Sequence, residues 1–405
     1  MDRLIEQYEQ KFAQVLDAKQ AFAFWKGRVA LYAILKAMGI TAGDEVIVPG
    51  YTCVMNVNPI KYLGAKPVYV DIEPVTFNID VNLLREKITP NTKVIIAQHT
   101  YGYPCDMDAI MDIAGKKGVP IIEDCCLALG SEYKGKMAGT FGKAAYFSFQ
   151  WNKPYTTGIG GMAIIPASAG TGLPCDSIPS GLRRQGDTEL AEKIELLRAN
   201  EMCLPSTREI IMLWAQLVVY RLFVYPKTAA FAQGLFRYLT KKGAVVGSSS
   251  TDEFEPVKAS DFFKGVSGVQ ARSGLRQLKK IERNITHRKE MAQLYDRLFE
   301  ERGWSARQYD ASIMQPIMVR YPVRITEKDK ALAEAAKTGI ELGSWFECPL
   351  HPIETPLAAY DYQLGMCPEA EKASNEVVNL PLHLRANEKT AKRAVEFITK
   401  FTPVK

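Results

Sequence analysis

The sequence predicts an α/β fold, with a large domain built on a mostly parallel sheet covered by helices and a smaller C-terminal α/β domain. Three observations carry this. From about residue 28 to 165, apolar runs of strand length alternate with helix-patterned stretches. After residue 190 the pattern becomes helical, with strand candidates returning near the end. The length of 405 residues suits a large unit plus a smaller one.

Each element follows from its composition. GDEVIVPG (43–50), AKPVYVDI (65–72), TKVIIAQHT (92–100), VPIIEDCC (119–126), AAYFSFQ (144–150) and GGMAIIP (160–166) read as strands rich in Val, Ile and Tyr, most of them bounded by Gly, Pro or Asp. Between them, residues 30–40, 54–64 and 106–118 carry helical spacing with Gly at or just past the end. Such alternation argues for a parallel sheet buried on both faces. Residues 209–225 are nearly all apolar and 227–242 more amphipathic, so both are expected to be helices. Residues 243–260 are polar and turn-rich, a loop signature. One long helix is expected over 268–302, a strand over 316–325, and helices over 326–338 and 386–402. The domain boundary is placed between 265 and 266, with the apolar helical insertion at about 205–245 inside the large domain 1–265.

Composition excludes several classes. The net charge of +6 is spread along the chain with no basic, aromatic-interleaved stripe, which argues against nucleic-acid binding. The first residues, MDRLIEQYEQKF, read as a surface helix with no apolar signal core. Eight cysteines include no CxxC pair, so they read as reduced thiols in a cytoplasmic protein, with neither a zinc spacing nor a disulfide framework.

The most informative stretch is GTFGKAAYFSFQWNKPYTTGIGGMAI (139–164). Lys153 lies just past a strand, among Phe149, Trp151 and Tyr155 and before a Gly-rich loop. Desolvation there lowers an ammonium pKa and frees a carbonyl-trapping amine. A loop lysine is far more often merely solvated, so the reading depends on companions. Asp124 ends the strand VPIIEDCC, where open α/β sheets bind ligands. A pyridoxal cofactor needs an acid there to keep its ring nitrogen protonated. Ser148 precedes Lys153 by five residues and offers a hydroxyl to a phosphate. In WKGRVAL (25–31), Gly27 begins a helix whose N–H groups near Arg28 and Val29 make a phosphate cradle.

Together these segments resemble the DegT/DnrJ/EryC1/StrS sugar aminotransferases, enzymes of pyridoxal-phosphate fold type I. The resemblance runs through GDEVIVPGYT, GAKPVYVDIEPVTFNID, HTYGYPCDMDAI, IIEDCCLALGSEYKGK, the Lys153 segment and NLPLHL (379–384), in order over most of residues 20–166 and again from about 266. It implies that Lys153 is the Schiff-base lysine, Asp124 the ring-nitrogen aspartate, Ser148 a phosphate ligand and Arg28-Val29 the cradling backbone. It also exposes departures. Leu127 stands where the family usually has Gln, Cys53 where a Phe or Trp stacks on the ring, and Arg28 where Thr is usual. Phe263 falls on the position of an Asn that reaches the partner subunit's cofactor phosphate, and Arg28 is inferred to supply that contact instead.

The expected activity is ping-pong amino transfer, from glutamate to a nucleotide-linked keto-sugar, by a cytoplasmic homodimer that takes part in cell-surface polysaccharide or secondary-metabolite synthesis. Transfer to a non-sugar or lipid-linked ketone is the alternative, with a sugar dehydratase and a non-catalytic regulator behind it. Relatives that act as dehydratases replace the lysine with histidine, so Lys153 argues against that chemistry. His99, His351 and His383 are candidates to border substrate, set against structural roles. The apolar run at 209–225 is too short for a span; it is read as packing helices, with a membrane-surface patch as the sharper alternative.

Overall fold

The computed structural model describes residues 2–151, 153–167, 185–223, 254–305, 309–352 and 355–404. The first part runs α1 (Arg3–Val15), β1 (Ala18–Phe24), α2 (Gly27–Ala37), β2 (Glu45–Pro49), β3 (Thr52–Cys53), α3 (Val54–Tyr62), β4 (Lys66–Val70), α4 (Val81–Lys87), β5 (Thr92–Gln98), α5 (Met107–Lys117) and β6 (Ile121–Asp124). It continues through β7 (Glu132–Tyr133), β8 (Lys136–Met137), β9 (Ala144–Ser148) and β10 (Gly161–Pro166). Seven strands join in the order β1-β10-β9-β6-β5-β2-β4. From β9 to β4 the neighbours are parallel, and β10 and β1 add an antiparallel edge.

The central parallel strands are mostly apolar because both faces are covered. In β5, Val94 and Ile96 enter one core cluster with Ile34 and Leu35 of α2, while Ile95 and Ala97 enter another with Ile110 and Ile113 of α5. The six predicted strands are all present. β1, AKQAFAF, is additional: alanines and two polar residues dilute its apolar signal, yet Phe22 and Phe24 are fully buried.

The later elements are α6 (Gln185–Glu201), α7 (Thr207–Phe223), α8 (Gly268–Leu278), α9 (Ile281–Glu300), β11 (Met314–Gln315), β12 (Arg320–Arg324), α10 (Lys328–Thr338), β13 (Leu350–His351), α11 (Pro368–Glu376), β14 (Val377–Pro381) and α12 (Glu388–Ile398). The single helix expected over 268–302 is two. The chain turns at Lys279-Lys280, closed by Lys280 N–H to Gln277 C=O at 2.9 Å, and Lys280 leaves helical geometry with ψ of 4°. The redirected α9 lets Arg288 donate to the carbonyls of Met318 and Val319 at 2.9 and 2.8 Å, holding the segment before β12.

β12 pairs antiparallel with β14. The polar helix α11 starts under a distant cap, because Asp71, just past β4, accepts the N–H groups of Glu369 and Ala370 at 2.8 and 2.9 Å. Of the apolar stretch at 209–242, residues up to Phe223 form α7, and the rest lies outside the described residues, as does most of the loop expected at 243–260. Among the described residues no helix is long and apolar enough to cross a membrane.

Candidate active site

The parallel register places Gln98 and Asp124 side by side at the C-terminal ends of β5 and β6, with Tyr146 of β9 on the other side of Asp124. Asp124 is buried. Its Oδ1 accepts the Cys126 N–H at 2.9 Å, and its Oδ2 accepts from Asn56 Nδ2 at 2.5 Å. Asn56 reaches in from α3, where its amide nitrogen also lies 3.0 Å from Thr52 Oγ1 and 3.2 Å from Gln98 Oε1. Gln98 in turn donates to Tyr51 C=O and Thr100 Oγ1, both at 2.9 Å. Asp124 is therefore fixed by a polar net that no single motif announces.

Lys153 sits in the loop between β9 and β10, with its N–H on Gln150 C=O at 3.0 Å. Its half-buried side chain carries the ammonium to 4.7 Å from the centre of the Trp345 ring. Burial lowers its pKa. The charges of Cys126, Asp124 and Cys53 oppose that shift, and Arg320 adds to it. The structure thus brings together Lys153, Asp124 and Cys53, which the sequence had singled out separately.

Gly27 opens α2 against the end of β9. A Cβ there would lie 2.9 Å from Ser148 Cβ and 3.1 Å from the Phe147 carbonyl oxygen, so only glycine lets the helix N-terminus pack this closely on Ser148. Arg28 and Val29 follow, both buried in the first turn. Cys53, half-buried, caps the start of α3, and burial pushes its thiol pKa up, with Arg28 and Lys153 pulling it back down. Leu127 is buried in the main apolar cluster. Phe263 is turned into its own chain, with its ring 5.8 Å from Phe24 and 5.7 Å from Tyr32.

The three histidines separate. His99 is fully buried: its Nδ1 accepts the Cys105 N–H at 3.0 Å and its Nε2 donates to Glu123 at 3.1 Å. Glu123 also accepts N–H groups of Gly139, Phe141 and Gly142, each at 2.7 Å, so the buried His99, Glu123 and Cys125 cluster is a structural clamp on the loop before β9. His383 pairs with Glu341 at 2.9 Å on the surface. His351 alone adjoins the Lys153 site, paired in register with Cys53 and 6.3 Å from the Trp345 ring.

Trp345, Arg320, Asn56 and Gln98 were not anticipated. Trp345 is held through its backbone: its main-chain N–H donates to Asn379 Oδ1 at 2.8 Å, and the Phe346 main-chain N–H donates to Tyr101 OH at 3.1 Å. Lys328 Nζ donates to Phe346 C=O at 3.0 Å and Ser374 C=O at 2.5 Å. In the sequence, the only cue was a Trp-Phe pair in a polar segment shortly before His351.

The model of the DegT/DnrJ/EryC1/StrS aminotransferase family matches residues 2–169 and 265–399. This chain belongs to that family. The unmatched residues contain α6, α7 and the apolar stretch, the portion that departs most from the DegT/DnrJ/EryC1/StrS pattern. A GDP-perosamine synthase of Escherichia coli O157:H7 is 47% identical over 160 residues, 40% of this chain and 44% of that protein. A GDP-perosamine synthase of Caulobacter vibrioides is 30% identical over 401 residues, 97% of this chain and 88% of that protein. The solved structure of S. venezuelae DesV shares the fold, with a TM-score of 0.72 and 23% identity, covering 99% of this chain and 89% of that one. The architecture is that of fold type I, and pyridoxal phosphate is the family's cofactor. The geometry fits that group: a depressed lysine amine, a pinned carboxylate and a helix start pressed on a serine by a residue without a side chain.

Proposed function

We propose that this aminotransferase moves an amino group from glutamate to the keto group of a nucleotide-linked sugar, with Lys153 as the covalent anchor of pyridoxal phosphate. The observation that carries the reading is the placement of Lys153, half-buried against the Trp345 ring at 4.7 Å beside the pinned Asp124, where burial also lowers its pKa. The similarity to GDP-perosamine synthases supports a nucleotide-linked sugar as the acceptor.

When bound, the cofactor withdraws electrons from the donor's α-carbon and stores the amino group between half-reactions. The remaining work falls to the chain. Asp124, buried and held by Asn56, keeps the ring nitrogen protonated. Ser148 and the Gly27 turn, with Arg28 and Val29, hold the phosphate, where helix N–H groups and the guanidinium favour an anion. Cys53 and Leu127 occupy positions beside the ring. Lys153, once released, carries the proton away from the donor's α-carbon and returns it. Phe263 is committed to the core, so Arg28 takes over the contact that a partner subunit's Asn supplies in relatives, and the assembly is a homodimer. The division at 265/266 separates the cofactor-binding domain from the smaller one, and the enzyme works in the cytoplasm.

The test is Lys153→Ala, with Ser148→Ala beside it. Loss of long-wavelength cofactor absorbance and of turnover is expected for the first, and weakened cofactor retention for the second. Amino transfer that survived Lys153→Ala would overturn the assignment.

A further inference from the structure

Arg320 opens β12, opposite Pro381 of β14. Its side chain is half-buried, and its guanidinium carbon lies 6.0 Å from the centre of the Trp345 ring. That is the ring which the Lys153 ammonium approaches to 4.7 Å, so one aromatic wall serves both cations. The position depends on Gly343, where a Cβ would meet Arg320 Nη1 at 2.4 Å. Any larger residue at 343 would displace the guanidinium.

Arg320 has no anion at ion-pair distance; Glu341 acts on it only from further away. Among the described residues no carboxylate lies within 4.0 Å of it. The nearby Glu341 is engaged by His383 at 2.9 Å. Three other arginines in the fold are matched: Arg198 with Glu9, Arg324 with Glu369 and Glu376, and Arg288 with two carbonyls. A partly desolvated guanidinium with no carboxylate in contact is left short of charge-assisted hydrogen bonds, and an arriving carboxylate supplies them in a pair.

We propose that Arg320 binds a carboxylate of the amino donor and so selects an amino acid over a simple amine. The proposal rests on Lys153 being the cofactor anchor. An α-amino acid bears its carboxylate on the same carbon as the reacting nitrogen. When that nitrogen takes over from the Lys153 amine, the carboxylate falls beside the Trp345 wall, where Arg320 waits. The diphosphate of a nucleotide-linked acceptor is separated from its keto carbon by the sugar ring, which places it further out.

The test uses the cofactor-loaded enzyme and glutarate, a dicarboxylate that has no amine to react, with wild type, Arg320→Met and Arg320→Lys compared by calorimetric titration. Steady-state KM is measured in parallel for glutamate and for the keto-sugar. Glutarate binding is expected to weaken about 30-fold in Arg320→Met and less in Arg320→Lys, with the glutamate KM following and the acceptor KM unchanged. Cofactor stoichiometry and melting temperature identify variants that fold, and Arg320→Lys stands in if the Met variant does not. Glutarate binding within about 3-fold of wild type in a folded, loaded variant would overturn the proposal, as would a change confined to the acceptor KM. Failure of the Lys153 reading is distinct: wild-type protein itself would then load no cofactor through that residue.

Discussion

The amide of Asn56 donates to the Asp124 carboxylate at 2.5 Å across the mouth of the sheet, joining helix α3 to the residue that ends β6. This contact makes Asp124 a fixed charge rather than a mobile one. Asn56→Leu leaves one carboxylate oxygen without its donor, and cofactor affinity is expected to fall about 10-fold, the worth of one hydrogen bond to a charged group. Asn56→Asp sets a second carboxylate against the first and should abolish loading. Titration of the apoprotein with pyridoxal phosphate, followed by absorbance, measures both.

The close approach of Gly27 to Ser148 predicts that Gly27→Ala loses cofactor affinity more severely than Ser148→Ala does. The added methyl must displace either the helix start or the strand end, because the Phe147 carbonyl lies 3.1 Å from the new Cβ. Equal affinities in the two variants, from the same titration, would show that the helix start is not part of the phosphate site.

Lys153 titrates below the ordinary lysine value of 10.5, because burial disfavours its charge. The amine is the nucleophile, so its reaction with an aldehyde rises as pH increases through the lowered pKa. The cofactor-free enzyme is expected to give an inflection well below that of an exposed lysine when the rate of adduct formation is followed against pH. An inflection at the ordinary value would remove the argument from desolvation.

Glu123 predicts a stability effect without chemistry. Its carboxylate accepts three backbone N–H groups at 2.7 Å each, and Glu123→Gln turns a donor toward some of them. A loss of roughly 3 kcal/mol in denaturant unfolding is expected, the scale for buried donors left unmatched.

Lys328 gives a pH signature. Its pKa is lowered to about 8 by burial, below the 10.5 of an ordinary lysine. The unfolded chain therefore holds the proton more tightly than the folded one. The resulting cost, on the order of 3 kcal/mol, is fully present below pH 8 and is relieved as pH rises from 8 towards 10.5. Wild type should gain stability relative to Lys328→Met between pH 7.5 and 9.5, where denaturant midpoints report the difference.

What could be read in advance was local. The strands of the parallel sheet announce themselves because burial on both faces demands unbroken apolar runs, and Asp124, Ser148 and Lys153 lie at or just past strand ends, where such sheets bind ligands. Gly27 was legible for the same reason. Arg320 and Trp345 were not, because their relation to Lys153 arises only when β12 and the loop after α10 fold back over the sheet. Asn56 lacked any signal, being one asparagine in a helix whose partner lies 68 residues on. The break between α8 and α9 was missed because Lys279-Lys280 is fully compatible with a helix, and tertiary packing by Arg288 decides the direction instead.

The cap that Asp71 places on α11 bears on how the chain is made. The carboxylate leaves the ribosome almost 300 residues ahead of the amides it will receive. Until then the end of β4 presents an acceptor with nothing to accept, and a segment synthesised much later closes it. The C-terminal portion is thus seated by a template laid down early in translation. A nascent chain halted before α11 can complete its central sheet while the Trp345 loop lacks the Ser374 carbonyl that helps anchor Lys328 beneath it.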